Sequence, residues 1–201
     1  MKKFLDILFK ILAFMFLPLL FTLIFWWGSI PFIKENYIFI FFITGLIIGL
    51  ILNLIYYKKI IRNLYNLNIK FLIVIYLFYN FCIYGFFMGI PIFNLIMSFI
   101  SGLYFGRRCK FLNYNEVDSV KIIKKVSIFT TIFVFIIFCF SGFIAIKDPS
   151  TGKNIQGMFN LSNPLTKELI YLIVIFGGTF FLILNYYITY LLGILEFKKK
   201  N

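Results

Sequence analysis

The chain has 201 residues, of which 62% are hydrophobic and 13% charged; a water-soluble domain averages roughly 45–50% apolar and about 25% charged residues. That excess has no place on a hydrated surface, so a soluble globular protein is excluded and a bilayer is the solvent that fits. A formal net charge of +13 would suit nucleic acid, but in so apolar a chain the basic residues read as topology and headgroup anchors, and no nucleic-acid partner is expected.

At ~20 apolar residues per crossing, the length allows about six spans with short connections. The expected fold class is therefore an all-α membrane protein, a six-span transmembrane helical bundle forming one domain over residues 1–201. Span 1 covers about 11–27, with Pro18 expected to kink it and Trp26 and Trp27 placed for an interfacial aromatic belt. No small-x-small cleavage site follows, so it does not read as a signal peptide. Span 2 covers about 37–57 and stops at Lys58 and Lys59; Gly45 and Gly49 give it the small-xxx-small spacing of close helix packing.

Spans 3 (69–87) and 4 (91–106) share one apolar stretch, too long for one helix and short for two. A tight hairpin is expected between them, with the helix break at Gly85, Gly89 and Pro91. Ser98, Gly102 and Gly106 fall on one face of span 4, and Arg107 and Arg108 end it. The sequence Asn113-Tyr-Asn-Glu116 resembles a capping box with Asn113 as the cap; from there one long helix with a basic foot of Lys121, Lys124 and Lys125 is expected to run into span 5 (126–146). The connection 147–167 is the longest, with a turn over Asp148–Gly152 and an apolar middle at Met158, Phe159 and Leu161 that reaches the interface. Asn163-Pro164 is expected to start the last helix, whose span covers 169–195 and carries Asn185, Thr189 and Gly193 on one face.

Charge sets the orientation. With both termini cytoplasmic, the inner side holds 16 of the 20 basic residues and the outer side only Lys34, Lys147, Lys153 and Lys167. The expected location is the cytoplasmic membrane, multi-pass, with the bilayer itself as partner. Lys58, Lys59, Arg62, Arg107, Arg108 and Lys110 cluster on the cytoplasmic side and are candidate contacts for anionic lipid headgroups.

Catalytic chemistry finds little to work with. The sequence has no histidine and seven acids, all at or beyond span ends; Cys82, Cys109 and Cys139 show no CxxC spacing. No catalytic residue, metal site or cofactor is assigned. The polar side chains at depth are Asn80 and Asn185, with Asn53 nearer the inside and Asn94 nearer the outside. They are candidates for interhelical hydrogen bonds or for the lining of a substrate pathway. Span count and the interrupted hairpin point to a small transport-type protein or the membrane subunit of a transporter. A non-catalytic structural or interaction protein, assembling as a homo-oligomer or with a partner membrane subunit, is the second reading, and a lipid-modifying enzyme the third.

Overall fold

A chain without water around it must satisfy its backbone donors and acceptors internally, and helices do this within each segment. The computed structural model describes residues 2–87 and 90–199, with the side chains of Lys2 and of 58–62 outside the description. Among these residues all regular structure is helical: α1 (Lys2–Ser29), α2 (Glu35–Arg62), α3 (Ile69–Phe86), α4 (Leu95–Phe111), α5 (Glu116–Lys147), α6 (Thr151–Phe159), α7 (Lys167–Leu172) and α8 (Gly178–Lys198). A π-helical turn, Ile173–Gly177, joins α7 to α8. Five rods are long and apolar enough to cross a membrane: α1, α2, α3, α5 and the continuous Lys167–Lys198. At 17 residues, α4 falls short of that length, measuring about 26 Å at 1.5 Å per residue.

The chain divides into two compact units, Met1–Phe78 and Tyr79–Asn201, with the division inside α3. In the first, α1 runs unbroken through Pro18 and packs along α2. A Cβ on Gly45 would lie 2.6 Å from the Phe21 carbonyl oxygen, and one on Gly49 would lie 2.6 Å from the Pro18 Cα. Those pairings descend along α1 as they ascend α2, so the two helices are antiparallel and their backbones meet where the glycines allow it. Phe16 stands edge-on to Phe71 and Phe78, and the Tyr65 hydroxyl donates to Asp6 at 2.5 Å.

In the second unit, α8 packs on both α4 and α5. The long α5, 32 residues from Glu116 to Lys147, matches the single helix with a basic foot read from the sequence. Its start differs. Asn113 is not its cap but adopts φ 54°, while the amides of Asn113 and Tyr114 return to the carbonyls of Lys110 and Cys109. That arrangement is a Schellman closure of α4. Asn115 caps α5, its Oδ1 accepting from the Asp118 amide at 2.7 Å.

Three further boundaries depart from the sequence reading. Gly85 lies inside α3, and Pro91 opens a 3-10 turn (Pro91–Asn94) leading into α4; Gly89 lies outside the described residues. The connection after α5 contains the helix α6, closed by Asn160 at φ 51°. The last rod starts at Lys167 with Thr166 as its cap, three residues beyond Asn163-Pro164, because the Thr166 hydroxyl accepts from the Leu169 amide.

Candidate functional site: a buried polar seam between α4, α5 and α8

Small side chains set the geometry of the seam. On α4, Ser98, Gly102 and Gly106 recur every four residues, and on α8 so do Asn185, Thr189 and Gly193. The two stripes face each other in one register. The Ser98 hydroxyl donates to Asn185 Oδ1; a Cβ on Gly102 would lie 2.6 Å from the Thr189 carbonyl oxygen; and Gly106 has the Gly193 carbonyl against it. Each pair is offset by the same interval, so α4 and α8 run parallel. Contacts to α5 run the other way, from Phe138 against Gly178 to Ile123 against Gly193, which makes α5 antiparallel to α8.

Asn185 holds the three helices together. Its Oδ1 accepts from Ser98 on α4, and its Nδ2 donates to the Thr131 hydroxyl on α5 at 3.1 Å. The Thr189 hydroxyl donates to the Asn185 carbonyl at 3.0 Å and lies 3.3 Å from the Thr130 hydroxyl. Ser98, Asn185 and Thr189 are fully buried. An amide in an apolar interior costs several kcal/mol when unpaired, on the order of 4–8 in a purely hydrocarbon reference; here its oxygen and nitrogen are both engaged.

Just before α4, an amide of the 3-10 turn pairs with one of α3. Asn94 Nδ2 donates to Asn80 Oδ1 at 2.9 Å and to the Asn80 carbonyl at 3.0 Å, both residues being fully buried. The Asn94 Oδ1 atom is left without a hydrogen-bond partner among the described residues, and so is Asn53 Nδ2 in the first unit.

At the other end, each stripe terminates in a charge of opposite sign. Arg107 Nε donates to Glu196 Oε1 at 2.7 Å; the two residues are 9% and 6% exposed. Lys110 Nζ caps the C-terminal carbonyl of Lys199, and the exposed Lys198 pairs with Glu116 of α5 at 2.6 Å. Of the six residues considered for anionic lipid, Arg107 is thus engaged inside the unit, Arg108 lies 6.0 Å over the Phe105 ring, and Lys110 reaches α8. The side chains of Lys58, Lys59 and Arg62 lie outside the described residues.

Sequence reasoning identified both small-residue stripes but not that they pair with each other. It missed Thr130 and Thr131, and it placed Glu196 only among the acids at span ends. The usable signal was the ending of each stripe, Gly106-Arg107 on one and Gly193 followed by Glu196 on the other. Neither groups of three or more potential metal ligands nor disulfides occur among the described residues.

The architecture defines a class: among the described residues, an all-helical protein with five helices long and apolar enough to cross a membrane, and a polar seam buried inside its second unit. Comparison with protein-family models, with curated proteins and with solved structures finds no match to this chain.

Proposed function

We propose that this chain is a six-crossing integral membrane protein with both termini cytoplasmic, serving as a non-catalytic membrane subunit whose second unit is a rigid scaffold. One observation carries the scaffold reading: the Asn185 amide, fully buried in the seam, is consumed by bonds to α4 and α5. A substrate pathway would leave such groups facing a path. The six-crossing reading gains support from α4, which lies parallel to the last rod and in register with it from Asn185 to Glu196. The 3-10 turn Pro91–Asn94 adds about 8 Å to its reach. α4 then crosses in the same sense as α8, as the fourth and sixth spans of an even-numbered bundle do, and the Asn94–Asn80 bonds support a hairpin with α3. Orientation follows from the 16 basic residues assigned inside.

A transport-type protein is the second reading, and the unpartnered Asn94 Oδ1 and Asn53 Nδ2 favour it, since a polar path would supply their missing bonds. Water-soluble thiol reagents distinguish the two. With the native cysteines replaced, N185C and N94C stay unlabelled in the folded protein if the seam is a scaffold; labelling of either from one side of the membrane establishes a path. For orientation, S150C reacts with an impermeant reagent outside intact cells and N113C only after permeabilisation. The opposite pattern overturns the assignment.

A further inference from the structure

The connection between α5 and the last rod is built at one face of the membrane, because both flanking helices are long and apolar enough to cross it. Lys147 ends one and Lys167 begins the other. Within it, α6 is amphipathic: Ile155, Met158 and Phe159 share one face at i, i+3 and i+4, with Lys153, Asn154 and Gln156 elsewhere. Met158 and Phe159 are 66% and 72% exposed, and Leu161 follows them. In water that tip would be an unpaired apolar patch; at the boundary between headgroups and chains it is in its own solvent.

Beneath the start of α6 lies a cleft of about 230 Å³. Its floor is apolar, made by Ile146, Leu165 and Ile170, and its polar lining includes Lys153, Lys167 and the Tyr171 side chain. Asp148 also borders it, but that carboxylate already accepts from the Ser150 hydroxyl and amide. Lys147 is directed elsewhere, its Nζ 4.6 Å over the Phe143 ring. Two lysines on different elements thus line an apolar hollow near an apolar helix tip.

We propose that this cleft binds the phosphate of an anionic phospholipid, with Lys153 and Lys167 at the phosphate and the Met158–Phe159 tip seated among the adjoining chains. This rests on α5 and α7–α8 crossing the membrane, as in the proposed function, and adds a lipid site on the side opposite the basic cluster. One phosphate chemistry has two sources, a lipid headgroup or free phosphate; the apolar floor and tip favour the lipid.

The test uses tryptophan fluorescence quenched by brominated lipids in vesicles, with Trp26 and Trp27 replaced by Phe. F135W, exposed on the middle of α5, reports whether that helix crosses the membrane; F159W reports the tip. Both are expected to be quenched, and F159W more by brominated phosphatidylglycerol than by brominated phosphatidylcholine, with roughly thirtyfold lipid preference for two lysines at a headgroup layer. K153Q/K167Q is expected to abolish the preference while F159W remains quenched. Excess inorganic phosphate at matched ionic strength leaves the preference in place. Quenching of F135W without F159W overturns the interfacial seat alone. Equal quenching by the two lipids, or loss of preference to free phosphate, overturns the lipid site. Failure at F135W overturns the underlying membrane reading instead.

Discussion

Gly102→Ala separates the packing of the seam from the intrinsic preference of its residues. In an isolated helix, alanine is better than glycine by about 1 kcal/mol. At this position the added Cβ would lie 2.6 Å from the Thr189 carbonyl oxygen and 3.2 Å from the Leu192 Cβ, against ordinary contacts beyond 3.4 Å. The nearer atom is backbone, so relief requires α4 and α8 to move apart by most of an ångström. That shift weakens the neighbouring Ser98–Asn185 bond and the Gly106–Gly193 contact as well. Overpacking of this kind costs about 1–3 kcal/mol, which offsets the propensity gain and leaves a net loss of up to about 2 kcal/mol. Gly102→Leu should lose more. Gly177→Ala is the control, because nothing lies within 4 Å of its added Cβ and its φ of −60° is already helical. Reversible unfolding in mixed micelles measures the differences. Should Gly102→Ala prove as benign as Gly177→Ala, the close approach of α4 and α8 is wrong.

Three other outcomes follow from the same geometry. Glu196→Gln leaves the buried Arg107 without its counter-charge and should cost about 3–5 kcal/mol, whereas the double variant R107M/E196L should recover most of the loss; micelle unfolding of all three proteins checks the sign of that coupling. Asn185→Leu removes the partner of Ser98 and of Thr131 together and should destabilise by about 1–3 kcal/mol, while Thr131→Val, which removes a single donor–acceptor pair, should cost less in the same assay. At Asp148, the hydroxyl and then the amide of Ser150 hold the carboxyl below its usual range. A depressed native value means that the turn's stabilisation is present above the unfolded carboxyl pKa of about 3.9 and is lost as pH falls through the native one. Amide exchange at Ser150 should stay slow through the ordinary carboxylate range and accelerate only below it.

Much of this fold was legible because so apolar a sequence leaves few options. Hydropathy located every rod, and charge at the stripe ends bounded them, although α1 starts at Lys2 and α4 continues past Arg107 to Phe111. What misled was chemistry that serves two purposes. Asparagine closes one helix in the left-handed region as readily as it caps the next, so in Asn113-Tyr-Asn-Glu116 the first residue ends α4 and the third begins α5. The sequence Asn163-Pro164 is equally suited to a loop, and the helix waits for Thr166. The π turn at Ile173–Gly177 carries no side-chain signature beyond Gly177-Gly178. Residues of α6 spread apolar and polar positions over only nine residues, too few for periodicity to stand out from a loop.

The register between α4 and α8 was beyond reach, since each stripe is visible alone but their alignment is a tertiary property. Glycines by themselves would not fix it. Sliding α4 by one turn, four residues and about 6 Å, places Gly102 against Gly193 and Ser98 against Thr189, a packing that small residues tolerate. The polar groups do not tolerate it: Asn185 loses the Ser98 hydroxyl, and Arg107 moves off Glu196 while both remain inside. A buried charge separated from its partner costs several kcal/mol, more than the van der Waals difference between two glycine registers. The glycines therefore permit the close approach, and the amide at one end with the ion pair at the other selects which approach is made. Specificity of this kind needs the polar residues to be internal and paired, which is the arrangement found from Ser98 to Glu196.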